Sequence, residues 1–222
     1  EEKLRTRMLK LGKYAKAFIV HDDELLPHFS QELKPYIVPL RIEPERFTPE
    51  YPDPAKGKVT IVHAPSNRGV KGTKYIHSAV ENLKKKYDIE YILVENMTQN
   101  EAFKEYQKAD IIVDQILGGS YGVLSIEAMA MGKPVITYIT DEMIKTFPDE
   151  LPIVSASPLN IQEEIEKLIN DGQIRHDLGV KGRKYIETYH DCKKNAKVIA
   201  KIYEGTANKT KGKDAFEEVK EL

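Results

Sequence analysis

The sequence has little of what several common functions require. Cys192 is its only cysteine, so no internal disulfide can form and a reducing compartment fits. No apolar run is long enough to span a bilayer, and no secretory signal opens the chain. A cytoplasmic location is the expectation. The formal net charge is -1, which leaves no broad basic footprint for nucleic acid. A few local cations can still hold a small anion. The order Gly-Lys-Ser/Thr of a Walker loop is absent, as are Gly-x-Gly-x-x-Gly and the Gly-x-Ser-x-Gly elbow. Asp22, Asp23 and Glu24 contain no Asp-x-Asp and read as the start of a helix. The six histidines show no metal-ligand spacing with Cys192, so no metal site is expected. No nucleophile stands beside an evident base, and no solenoid-type repeat is present.

What is there is an ordinary globular profile, 41% hydrophobic and 31% charged over 222 residues, enough for one large domain or one domain plus part of another. The chain begins "EEKLRTR" without methionine, and is expected to be a processed or engineered fragment.

Strand and helix patterns alternate through the middle. "KVTIVHAP" (58–65), "YILV" (91–94), "DIIV" (110–113), "PVITYI" (134–139) and "LPIVSA" (151–156) are strand candidates. Their apolar runs are those of strands covered on both faces. Ile76, Val80, Leu83 and Tyr87 fall at helical spacing, Phe103 and Tyr106 share a face over 98–109, and a last helix is predicted over 172–189. Before "LNIQEEIEKLIND", Ser157 reads as an N-cap with Pro158 at the first helical position. The fold class is therefore α/β, a doubly wound parallel sheet of Rossmann-like kind. In such sheets ligands bind at the carboxyl ends of strands, which selects residues 63–72, 94–98 and 114–122.

The first residues read as helix, strand, short helix and strand. "RIEPERFTPEYPDPAKGK" then passes four prolines without periodicity, as a linker would. The expected organisation is a partial neighbouring domain over 1–39, a linker over 40–57, a ligand-binding domain over 58–192, and a C-terminal helix and polar tail over 193–222, the tail from 205 onward frayed or loosely helical.

Two stretches carry chemistry. In "SNRGVKGTK" (66–74), Arg68 and Lys71 flank Gly69 between a strand and a helix. Two cations beside helix amides can hold a diphosphate, and the same residues also fit a solvated basic turn. In "GGSYGVLSIEAMAMGKPVI", Gly118, Gly119 and Gly122 let backbone approach a ligand, and Ser120 can cap or donate. Glu127 sits more than one turn into the following helix, among small apolar neighbours. From there a carboxylate reaches the two hydroxyls of a ribose, although an exposed glutamate after a glycine turn gives the same pattern. His63 ends the first strand and reads as locally hydrogen-bonded.

This second stretch resembles the core motif of GT-B glycosyltransferases, in particular the retaining family 4 enzymes (glycosyltransferase group 1). Their pattern runs Glu, Gly, aromatic, Gly, then a second Glu with Ala-Met-Ala, Gly and Pro-Val. Ser120-Tyr121-Gly122 stands for the Gly-aromatic-Gly part. Glu127-Ala128-Met129-Ala130 and Gly132-Lys133-Pro134-Val135 match directly. "SNRGVKGTK" resembles the family's basic loop and "IVPLRIEPERFTP" its interdomain segment, so the resemblance covers about residues 10 to 190.

The resemblance implies a donor-binding half with a remnant of its neighbour. Lys71, with Arg68, would stabilise the diphosphate leaving group of a UDP- or GDP-linked sugar. Glu127 would hold the ribose. Gly119, Ser120 and the amides of Tyr121, Gly122 and Val123 would meet the phosphates, and Asn96, Met97 and Thr98 would lie near the base. It further implies metal-independent transfer with retention to a carbohydrate or lipid-linked acceptor. The missing N-terminal domain would bind that acceptor and make any peripheral membrane contact, so this fragment would be inactive or incomplete. Two positions depart from the family. Its first motif Glu, which contacts the donor sugar, falls on Gly119, and its Arg falls on Ser66. Asp114 or Gln115 is the expected substitute for the sugar contact. A non-enzymatic nucleotide-binding or regulatory module and a GT-B-fold sugar epimerase remain alternatives.

Overall fold

The computed structural model describes residues 2–30 and 33–222; Glu1, where the first helix reading begins, lies outside them. In chain order the elements are α1 (Glu2–Gly12), β1 (Ile19–Val20), β2 (Tyr36–Ile37), β3 (Val59–His63), α2 (Arg68–Lys71), α3 (Thr73–Leu83), β4 (Ile89–Leu93), α4 (Gln99–Lys108) and β5 (Ile111–Val113). Then come α5 (Val123–Ala130), β6 (Val135–Thr137), α6 (Asp141–Ile144), β7 (Ile153–Ser155), α7 (Ile161–Asn170), α8 (Gly172–Tyr189), α9 (Cys192–Glu204) and α10 (Lys213–Lys220). Contacts divide the chain into two units. One gathers the residues up to Glu43 with Asp141–Asp149 and Thr188–Leu222; the other holds Pro44–Thr140 and Glu150–Glu187.

The larger unit is a five-stranded sheet in the order β4-β3-β5-β6-β7, parallel throughout. Ile61 pairs with Tyr91 on one side and Ile111 on the other. The central strands β3, β5 and β6 are buried at every residue, which is why they read as mostly apolar runs, broken only by Thr60, His63 and Thr137; the edge strands β4 and β7 are only partly covered. Side chains alternate across the sheet. Val59, Ile61, Ile111 and Val113 join Ile76, Val80 and Leu83 of α3 and Ile161, Ile165 and Leu168 of α7 in one core. Val62 and Ile112 are equally buried outside that cluster, and α4 packs against β3.

The chain goes from β3 outward to β4, then back past β3 to β5. The order reverses between β3 and β5, and the crevice at such a reversal is where open α/β sheets bind ligands. Two local signals set the elements that follow. Thr98 and Glu101 form a reciprocal capping box at the start of α4. Asn96 takes a left-handed φ of 55°, a conformation asparagine tolerates, in the turn before it. The expected cap of α7 is corrected: the helix begins at Ile161 after Asn160, not after Ser157. Asn160 Oδ1 accepts from Ser157 N (2.8 Å) and Oγ (3.1 Å), closing a turn that holds Pro158 outside the helix.

The proline-rich stretch is laid against this unit. Arg183 Nη1 donates to the carbonyls of Pro44, Phe47 and Ala130 at 3.0, 2.7 and 2.8 Å. Gly179 allows an approach that a side chain would forbid, since a Cβ there would lie 2.2 Å from Gly132 O.

In the smaller unit, β1 and β2 form a parallel pair. Val38 packs with Val198, Ile202 and Val219, and Val20 and Ile37 pack with Ala215. Ile42 bridges to Asp191, with Cys192 N donating to Ile42 O at 2.8 Å. Of the two readings of the tail, frayed or loosely helical, the helical one describes its second half: α10 buries Ala215, Phe216 and Val219, with Phe147 edge-on to Phe216 at 5.6 Å.

Candidate functional site

The residues after β3 form one turn of helix. Asn67 Oδ1 accepts from the amides of Gly69 (2.9 Å) and Val70 (3.1 Å), which starts α2. Gly72 ends it at φ 78°, and a Cβ there would come within 2.6 Å of Ile116. That close approach presses the basic loop onto the segment after β5, reinforced by Ile116 N donating to Lys71 O at 3.2 Å.

Lys71 therefore points inward. Its Nζ lies 2.6 Å from Asp114 Oδ1 and 3.1 Å from Gln115 Oε1, and its side chain is 14% exposed. Asp114 is fully buried, and its Oδ2 accepts from Ser125 Oγ of α5 at 2.8 Å. Gln115 Nε2 donates to Ser120 O at 2.6 Å. One network thus ties the basic loop, the end of β5, the glycine loop and the first turn of α5. An ammonium has three donors, and two are used here.

At the start of α5, Gly122 is the N-cap and supplies no side-chain acceptor. Its first-turn amides, Val123 among them, have no intrahelical partner either, so they can meet an anion. Ser120 and Tyr121 are buried, the latter with its hydroxyl 3.4 Å from that of Tyr185. Gly119 O accepts from Thr140 N at 3.1 Å. Glu127 is half-buried and accepts a long hydrogen bond of 3.4 Å from Gln99 Nε2. Burial raises its carboxyl above the usual range, partly offset by that bond. A desolvated acceptor with so weak a donor is suited to receive hydroxyls.

Arg68 is placed differently from the expectation. It is 64% exposed on its side chain and forms a two-pronged pair with Glu95, at 2.8 and 2.5 Å. That pair raises its pKa. Asp114 is likewise corrected as a sugar contact, because it is inaccessible and already holds Lys71 and Ser125. Asn96, Met97 and Thr98 are exposed between β4 and α4, but the Thr98 hydroxyl is engaged with Glu101. His63 is the core histidine anticipated. Its Nδ1 donates to Val113 O (2.8 Å), its Nε2 accepts from Thr73 Oγ1 (2.9 Å), and burial lowers its pKa. Sequence reasoning missed Glu95, Gln99 and Ser125, whose partners lie 11 to 28 residues away. A cavity of about 590 Å³ beside the loop, lined by Arg68, Gly72, Lys74, His77, Leu93 and Leu117, includes neither Lys71 nor Glu127. Among the described residues no helix is long and apolar enough to cross a membrane.

No protein-family model matches the sequence, and no curated protein matches it. Solved structures do match the fold. A sucrose-phosphate synthase from Thermosynechococcus elongatus aligns at 17% identity and TM-score 0.66, over 90% of this chain and 61% of that one. HepE from Anabaena, solved in complex with UDP, aligns at 11% identity and TM-score 0.70, over 91% and 67%. The C-terminal domain of a group 1 family glycosyl transferase, LpcC, from Francisella tularensis aligns at 19% identity and TM-score 0.52, over 68% and 99%. The chain has the fold of the C-terminal part of GT-B glycosyltransferases. It spans about three fifths of the synthase's length.

Proposed function

We propose that the larger unit binds a nucleotide sugar, and that the whole protein transfers the sugar to a carbohydrate or lipid-linked acceptor. The observation that carries this reading is the Lys71–Asp114–Ser125 network, which sets a cation with a spare donor beside the uncapped start of α5. In this reading the diphosphate lies over the first-turn amides near Lys71. Negative charge grows on it as the sugar departs, and preorganised donors stabilise that charge more than they stabilise the ground state. Glu127 accepts the ribose hydroxyls, and Asn96 and Met97 flank the base. Similarity to the fold of HepE, solved with UDP and with UDP-glucose, supports a nucleotide-sugar donor.

Retention, independence of a metal, a cytoplasmic setting, an acceptor-binding domain beyond the 1–39 segment, and the choice between UDP and GDP belong to the same proposal. So does inactivity of this chain by itself. Gly119, where the resembling family has a sugar-contacting Glu, favours a nucleotide-binding module without transfer as the second reading. Titration of this chain with UDP, GDP and their nucleosides tests the site. Diphosphates should bind well above the nucleosides, and equal affinity would remove the phosphate site. Donor hydrolysis by a longer form of the protein separates enzyme from module.

A further inference from the structure

Glu127 is approached from two helices. Its own helix, α5, carries no other titratable side chain. From α4 come Gln99 and Tyr106. Gln99 Nε2 donates to Glu127 Oε1 at 3.4 Å. Burial, then the charge of Glu127 and that of Asp114, push the Tyr106 hydroxyl up to about 12, so it stays protonated at neutral pH. Asp114 itself is shut in with Lys71 and Ser125. Among the described residues Glu127 Oε2 accepts no hydrogen bond. The carboxylate is thus held at one oxygen and open at the other.

Gln99 is the first residue of α4, and the chain on either side of it is fixed. Thr98 N and Oγ1 donate to Glu101 Oε2 at 2.8 and 2.7 Å, and Ala102 N donates to Thr98 O at 2.9 Å. Further along, Phe103 packs edge-on to Phe47 at 5.4 Å and Tyr106 is buried. The exposed Gln99 carboxamide makes one hydrogen bond among the described residues, the one across to α5. We propose that Gln99 is a positioning residue for the nucleotide site: from a fixed helix start its amide holds Glu127 Oε1 and leaves Oε2 for a ribose hydroxyl. The inference rests on Glu127 being the ribose acceptor. A bond of 3.4 Å is long, as hydrogen bonds of binding sites often are until the ligand draws them in. Its second effect is on charge. Burial raises the Glu127 pKa and the bond from Gln99 lowers it, because a donor favours the ionised form. An ionised carboxylate accepts at both oxygens, whereas a protonated one loses acceptor capacity. Gln99 thereby extends diol binding to lower pH than burial alone permits.

The test is calorimetric titration of the full chain with UDP-glucose and GDP-glucose, the tighter of the two then being followed from about pH 5 to pH 8, above the usual glutamate value. The native protein should lose affinity as pH falls through the Glu127 pKa. Gln99→Ala should move that midpoint up by about 0.5–1 pH unit, the worth of one hydrogen bond, and weaken binding about two- to fivefold at neutral pH. Its thermal stability should be unchanged, since the side chain is exposed. Glu127→Gln should remove the pH dependence, and adding Gln99→Ala to it should cost nothing further, because Gln99 acts through Glu127. An unchanged midpoint in Gln99→Ala overturns the inference. So do additive losses in the double variant, which would mean that Gln99 touches the nucleotide directly. In both cases a loss in Glu127→Gln still upholds the ribose contact. Unchanged binding in Glu127→Gln overturns that contact and the role of Gln99 with it, and binding of neither sugar nucleotide removes the nucleotide site as a whole.

Discussion

Lys71 Nζ stands 2.6 Å from Asp114 Oδ1, and Asp114 is wholly inaccessible to solvent. The pair joins two segments 43 residues apart, and the same carboxylate holds Ser125 at 2.8 Å. The cation that would meet a phosphate is therefore held by a buried acid as well as by the loop that carries it.

Breaking the pair from one side should be expensive. Asp114→Ala leaves a largely buried ammonium uncompensated, and urea unfolding should show a loss of about 3–5 kcal/mol. Combining Asp114→Asn with Lys71→Met removes both charges, and the cycle should return a coupling of about 1–3 kcal/mol. Additive losses would mean that the two side chains do not interact in solution.

Glu127→Gln should move stability and binding in opposite directions. The folded-state pKa of Glu127 is raised, so the native protein holds its proton more tightly than the unfolded chain. Ionisation then costs stability as pH rises through the ordinary glutamate range up to the raised value. Gln, which never ionises, should be the more stable form at neutral pH. Nucleoside diphosphate affinity should fall about tenfold, the loss of one charge-assisted bond. A destabilised variant with unchanged affinity would leave Glu127 as packing only.

His190 gives the smaller unit an acid limit. It is fully buried, its Nδ1 donates to Leu40 O at 2.5 Å, and burial pushes its pKa down to about 4. The unfolded chain takes up the proton near pH 6.5, before the native state does. Stability should therefore fall as pH drops from about 6.5 to about 4, by on the order of 3 kcal/mol. His190→Gln should flatten that slope in unfolding experiments across the window. An unchanged slope would assign the acid sensitivity to other groups.

Much of this was legible in sequence, for physical reasons that differ by element. Strands β3, β5 and β6 are buried on both faces, and unbroken apolar runs such as Ile111–Val113 betray that directly. Of the loop-end glycines only Gly72, at φ 78°, sits where backbone geometry favours glycine; Gly122 is extended and could carry a side chain. The partners of Lys71 and Arg68 were not readable, since Asp114 and Glu95 arrive from other strands and no local pattern announces them. The cap of α7 misread for a related reason: Ser157 and Asn160 are both good caps, and only the turn between them decides. Polar composition also hid Phe216, because a single buried aromatic on a short helix barely changes an average.

Lys71→Ala and Arg68→Ala should differ in effect. Arg68 is largely in water and already paired with Glu95, so its loss should weaken diphosphate binding less than about threefold, and mostly at low salt. Lys71 is partly buried, where a charge-assisted bond is stronger, and its loss should cost about tenfold or more for the diphosphate. Nucleoside binding should be untouched in both. Equal losses for nucleoside and diphosphate on Lys71→Ala would show that the loop does not hold phosphate.

Gly119→Glu tests whether the departure from the resembling family's motif is what limits sugar recognition. Gly119 does not lie in the left-handed region, so a side chain meets no backbone penalty there. A Cβ would sit 3.2 Å from Thr140 Cγ2, tight enough that the methyl must yield slightly, and a stability loss of about 1 kcal/mol is expected. The main-chain bond from Thr140 N to Gly119 O keeps the loop in place. With no carboxylate at 119, and Asp114 closed off, the native protein should bind UDP and UDP-glucose with similar affinity. The variant should favour UDP-glucose about three- to tenfold, the worth of one hydrogen bond to a sugar hydroxyl. Competitive titration of both ligands against both proteins reads this out. Strong preference for the sugar nucleotide in the native protein would show that another residue, with Gln115 the nearest candidate, already makes the contact. No change in the variant would show that position 119 does not face the sugar.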